Sequence, residues 1–105
     1  MAIAKAGGIA PLVALARGGT DGQKEEAARA LRNLACNADN QVAIATAGGI
    51  PPLVALARDG SDGQMEAAAG ALYSLSNNKT NLAAMKDLGY GKKSVFGGWT
   101  VPRPK

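Results

Sequence analysis

The stretch GGIAPLVALARGGTDGQ that starts at Gly7 returns as GGIPPLVALARDGSDGQ from Gly48. Gly7 and Gly48, Pro11 and Pro52, Asp21 and Asp62, Leu31 and Leu72, and Asn40 and Asn81 all stand 41 positions apart, with no gap. The match runs backwards, with MAIAKA at Met1 against VAIATA at Val42, and forwards to Gly89; at Tyr90 it stops. Self-similarity at a period of about 40 residues predicts a helical solenoid, whose units bury their apolar sides against one another. The side chains suit such a thin core: 47% of residues are hydrophobic, but only 4% are aromatic and most are Ala, Leu, Ile and Val.

Each unit carries three helical signals. The first helix is expected from about Asp39 to Ala47, capped by Asn37 or Asp39 and ended by Gly48 and Gly49, since glycine takes the left-handed conformation that closes a helix. The second is expected from about Pro51 to Arg58, with proline in the first turn, where a missing N–H is harmless; Asp59-Gly60 ends it. The third is expected from about Asp62 to Asn77. Ser61-x-x-Gln64 is a capping box in front of it, as is Thr20-x-x-Gln23 in the earlier copy. Alanine density and the lack of alternation exclude strands in the units. On the third helix, Ala27, Ala28, Leu31, Leu34 and Ala35, and then Ala68, Ala69, Leu72 and Leu75, recur at three- and four-residue spacing and are the expected core. Glu26, Arg29 and Asn33 lie on the opposite stripe, with Gly70, Ser74 and Asn77 in the second copy; Arg32 and Tyr73 sit at its edge.

These linked motifs, with GGI-x-PLVALAR as second helix and EEAARALRNLA as third, resemble armadillo repeats from Met1 to about Gly89. The resemblance implies an all-α, right-handed α-solenoid with three helices per unit. It covers about two units, 7–47 and 48–88, preceded by part of a first helix over 1–6 and followed by an irregular tail over 90–105. It further implies that the third helices line a concave groove for extended peptides or partner proteins. In peptide-binding members an asparagine late in the third helix grips the ligand backbone, and a tryptophan one turn earlier makes slots for side chains. Asn33 matches the asparagine, while its counterpart Ser74 departs from it; the tryptophan positions are held by Arg29 and Gly70. The expected contact residues are Glu26, Arg29, Arg32, Asn33, Tyr73, Ser74 and Asn77.

Catalytic chemistry finds little support. The chain has no histidine, hence no Ser-His or Cys-His pair and no ordinary zinc site. The adjacent Glu25 and Glu26 point about 100° apart on a helix and read as a solvated face paired with Lys24, Arg29 and Arg32. The glycine-rich GGTDG and GYGKK lack the spacing of a phosphate loop. No enzyme, cofactor or metal is expected. The single cysteine, Cys36, excludes an internal disulfide and is expected as a small buried hydrophobe near a helix end. Its solitude, with no secretory signal after Met1, leads us to expect an intracellular protein of cytoplasm or nucleus, in which Asn78-Lys79-Thr80 is no glycosylation site. No apolar run approaches a membrane span.

The net charge of +4 is concentrated after Met85, in Lys86, Lys92, Lys93, Arg103 and Lys105 against Asp87. The body is neutral. A stack of barely two units is expected to leave both end faces apolar and wet, and so to self-associate, preferably as a closed homodimer. Tyr90, Val95, Phe96, Trp99 and Val101 are expected to cover an end in the same or a partner chain; a mobile or foreign tail is the alternative, and the basic tail lying in a neighbouring groove is a third. The leading function is therefore a non-enzymatic protein-interaction module that self-associates and presents a concave surface. Two others compete: a ligand-free repeat block whose only property is assembly, and weak nucleic-acid binding through Lys92, Lys93, Arg103, Lys105 and a stacking Trp99.

Overall fold

The computed structural model describes residues 8–93 and 98–102. The partial first helix expected over 1–6, and with it Val95, Phe96, Arg103 and Lys105, lie outside the described residues. Among the described residues six helices follow one another: α1 Ile9–Gly18, α2 Asp21–Leu34, α3 Ala38–Thr46, α4 Ile50–Asp59, α5 Asp62–Leu75 and α6 Lys79–Asp87. Thus α1 and α2 are the second and third helices of the first unit, α3, α4 and α5 make up the second, and α6 is a further first helix.

The boundaries have local causes. The Thr20 hydroxyl accepts from Gln23 N while Gln23 Oε1 accepts from Thr20 N, and Ser61 and Gln64 repeat the arrangement in front of α5. Asn37 caps α3 through the amides of Asp39 and Asn40, and Asn78 caps α6 through that of Asn81. Prolines occupy the first turn of α4. The third helix is shorter than expected: α5 ends at Leu75 with Ser76 as its C-cap, and the Ser76 hydroxyl donates to Tyr73 O at 2.6 Å. Asn77 therefore lies in the turn beyond the helix, its amide bonded to Ser74 O.

The two glycines after α3 do different things. Gly48 has φ of +80°, the left-handed closure expected of it. Gly49 is right-handed, and closeness explains it instead: a Cβ there would stand 2.7 Å from Ile44 Cγ2 and 3.2 Å from Val13 Cγ2. One period later Gly89 keeps the left-handed conformation, with φ of +74°, but Tyr90 replaces Gly49 and is buried. Met85 replaces Ile44 at the same step. An unbranched methionine lacks the Cγ2 methyl that closes the space at Gly49, so the two exchanges fit one another. The backbone is indifferent to the change, since Gly49 N donates to Ile44 O and Tyr90 N to Met85 O, both at 2.9 Å.

The core is a continuous layer between the helices. Ala27, Ala28, Leu31 and Ala35 of the first unit are buried with Ala67, Ala68, Ala71, Leu72 and Leu75 of the second. Leu34 and Ala69, expected in the core, are only half-buried; Ala69 faces the side of α5 turned away from the first unit. Cys36 is also not where it was expected. It is exposed, because the chain has left α2 by then and turns towards α3. The most extensive contact between the units is α2 against α5, so the third helices form one wall. The tail is more regular than expected: β1 Lys92–Lys93 and β2 Trp99–Thr100 pair antiparallel, Lys92 with Thr100 and Lys93 with Trp99. Among the described residues no single helix is long and apolar enough to cross a membrane.

Candidate protein-binding surface

The wall of α2 and α5 carries the residues singled out in the sequence. Asn33 is exposed on α2, and Ser74 stands half-buried at the same register of α5. Arg29 is tied to its own helix, with Nη2 donating to Glu25 Oε2 at 2.9 Å and Nη1 to Glu26 Oε1 at 3.5 Å. Glu25 and Glu26 are thus a paired, wet face. Exposed i,i+4 pairs of this kind contribute about 0.5 kcal/mol or less, so they fix side-chain position more than stability.

Gly70 does not lie on the open stripe as its spacing suggested; it is buried. A Cβ on Gly70 would stand 2.6 Å from Arg32 Nε and 2.8 Å from Arg32 Cδ. Arg32, a residue of the stripe's edge, therefore reaches across the unit boundary and lies over the glycine. A similar reach occurs two turns nearer the N-terminus, where a Cβ on Gly63 would meet the Glu25 carboxylate. Gly70 sits in the interior of α5, where glycine costs about 1 kcal/mol relative to alanine, and Gly63 in its first turn. Both lie under long charged side chains from the neighbouring unit, which at Gly70 gives that cost a steric cause. Helix periodicity within one unit cannot reveal such cross-unit contacts, and for that reason the pairing of Arg32 with Gly70 and the position of Glu25 went unread. Tyr73 is half-buried and Asn77 exposed.

A second cross-unit contact joins the helix starts. Gln64 Oε1 closes the capping box of α5 while Nε2 donates to Asp21 O at 3.0 Å. Behind it, Gln41 Nε2 donates to Ala35 O at 2.9 Å and Asn81 Nδ2 to Gln41 O at 3.1 Å. Buried amides thus bond backbone carbonyls from one unit to the next, which sets the register of the stack.

At the far end Tyr90 and Val101 are buried and Trp99 is half-buried. Trp99 Nε1 donates to Tyr90 O at 3.1 Å, and Lys86 Nζ lies 5.8 Å from the indole centroid. Burial pushes the Tyr90 phenol above its ordinary pKa, and the Arg58 guanidinium pulls part of the way back. Arg58 Nη2 also donates to Leu88 O at 2.8 Å. The indole that was to stack on a base is thus engaged at its N–H and approached by a lysine, while Lys92 and Lys93 are exposed.

Consecutive helical units in one register, third helix on third helix, define an all-α repeat solenoid. The model of the Armadillo/beta-catenin-like repeat matches residues 1–36 and again residues 37–77. The chain belongs to the armadillo repeat family, and armadillo repeats are in general non-enzymatic, protein-binding scaffolds. No curated protein and no solved structure matches the chain significantly.

Proposed function

We propose that the chain is a protein-interaction module whose wall of third helices holds an extended peptide or a protein segment, and that it also associates with copies of itself. The observation that supports the first part is the exposed Asn33, in register with Ser74 on the adjoining third helix. An asparagine amide donates and accepts at once, and so matches the alternating N–H and C=O of an extended backbone. Arg29, held between Glu25 and Glu26, and Arg32, laid over Gly70, give this wall a fixed pattern of charge. Tyr73 and Asn77 border it on the second unit. Self-association is supported by Leu15, which is 39% exposed beside the half-buried Leu12 and Ala30. Nothing in the arrangement of Lys92, Lys93 and Trp99 favours nucleic acid over these readings.

An unbiased decapeptide array probed with the full chain tests the first part. Peptides retained by the wild type are re-measured by fluorescence anisotropy against two variants. Asn33→Ala removes one bidentate contact and is expected to weaken binding about tenfold, the equivalent of about 1.4 kcal/mol. Ser74→Asn supplies a second rung and is expected to strengthen it. An array that stays blank for the wild type, or equal affinities for all three proteins, overturns the peptide reading and leaves assembly alone.

A further inference from the structure

The repeat provides its own template for a contact between molecules. Leu12, Leu15, Gln23 and Ala30 of the first unit are the same residue types as Leu53, Leu56, Gln64 and Ala71 of the second. In the second unit this face is closed: Leu53 is 0% exposed, Leu56 6% and Gln64 4%. In the first unit Leu15 and Gln23 are exposed and Leu12 and Ala30 half-buried. One set of residues is thus sealed by a neighbouring unit in one place and uncovered in the other.

What seals the second unit is also present twice. The first unit offers Ala16 and Ala28, 2% and 0% exposed, and the Asp21 carbonyl that accepts from Gln64 Nε2. The corresponding positions one period on are Ala57, Ala69 and Asp62. There Ala57 and Ala69 are half-buried and Asp62 is exposed. The geometry points to head-to-tail association of two copies, in which the Leu12–Leu15–Gln23–Ala30 face of one chain docks on the Ala57–Asp62–Ala69 face of the other and continues the 41-residue step between molecules. This deepens the self-association part of the proposed function and rests on it.

The like-to-like alternative, with the leucine face against its own copy, matches apolar area but gives Gln23 no counterpart of the Asp21 carbonyl. Head to tail, Gln23 Nε2 meets Asp62 O as Gln64 Nε2 meets Asp21 O. One position differs from the template: Arg29 then comes beside Tyr73, where inside the chain Gly70 lies beside Arg32. A guanidinium stacks on a phenol ring, so that exchange is chemically acceptable. Because the two faces are unlike, the contact is heterologous and does not close at two copies.

The test is light scattering after size exclusion on the full chain, from micromolar to hundreds of micromolar. The wild-type mass is expected to climb past that of two copies as concentration rises. Leu15→Asp spoils one face and Ala69→Glu the other, both at positions that already touch solvent. Each is expected to be monomeric alone, and an equal mixture to form a dimer and nothing larger, since each supplies the face the other has lost. Circular dichroism establishes that both variants are folded; Leu15→Lys and Ala69→Lys replace any that is not. A wild-type dimer that stays closed at all concentrations and survives Ala69→Glu overturns the head-to-tail geometry while leaving self-association standing. A wild type that remains monomeric throughout overturns both, and a mixture that gives no dimer overturns the geometry. None of these outcomes touches the peptide reading, which depends on Asn33.

Discussion

Gln23 and Gln64 are the same residue in the same capping box, 41 positions apart, and replacing each by alanine isolates what the neighbouring unit contributes. Gln23→Ala loses one exposed hydrogen bond, from Thr20 N at 2.9 Å. That loss is about 0.5 kcal/mol, and the better helix propensity of alanine recovers part of it. Gln64→Ala loses the equivalent bond from Ser61 N and also the cross-unit bond to Asp21 O at 3.0 Å, from a side chain that is 4% exposed. The second bond adds about 1 kcal/mol, and the vacated methylene and its contacts about 0.8 kcal/mol. Asp21 O keeps the bond it accepts within α2, so the penalty for an orphaned carbonyl does not apply. Gln64→Ala should therefore cost about 2 kcal/mol more than Gln23→Ala, a difference in melting temperature on the order of 10 °C for a domain of this size. Urea titrations of the three proteins at low micromolar concentration measure it. Equal losses, to within about 0.5 kcal/mol, would refute the view that Gln64 ties the units together. Repeating the titration at high concentration adds a second arm. If copies stack head to tail, Gln23 acquires the surroundings of Gln64, and the costs of the two substitutions converge.

Tyr90 yields a pH dependence. Its phenol titrates higher in the fold than in the unfolded chain, chiefly because burial disfavours the phenolate. The fold therefore keeps this stability below the ordinary tyrosine value of about 10 and loses it as pH rises through the higher folded value. Urea midpoints at pH 8 and pH 10.5 should fall further for the wild type than for Tyr90→Phe; parallel falls would count against it. Met85→Ile restores the Cγ2 methyl beside Tyr90 and should cost about 1–3 kcal/mol by overpacking. That cost should shrink in a Tyr90→Gly background, and the same cost in both backgrounds would show that the two positions do not meet.

The fold was legible because the units obey local rules that a sequence displays directly. The capping boxes at Thr20 and Ser61, the asparagine cap at Asn37 and the left-handed Gly48 each act within a few residues, and each appears where the letters put it. What stayed hidden is whatever acts between units. Spacing alone assigned Gly70 to the open stripe, because nothing inside α5 reveals that Arg32 comes across from α2 to lie on it. Cys36 was placed inside by residue type, but the end of α2 turns it outward. Gly49 resembled a second helix stop, yet its reason is the approach of Ile44 and Val13.

The same distinction bears on function. A side chain's type does not settle whether it is core or interface here; its place in the stack does. Leu56 and Leu15 are identical in kind and in helix position, yet one is 6% exposed and the other 39%, and only the neighbouring unit separates them. The first unit thus displays the residues that, in their second-unit copy, pack against a face whose counterpart this chain also displays. Any free energy gained at the inner step is available in kind at the outer one, less the cost of bringing two molecules together. That cost makes the proposed outer contact, unlike the inner one, a function of concentration.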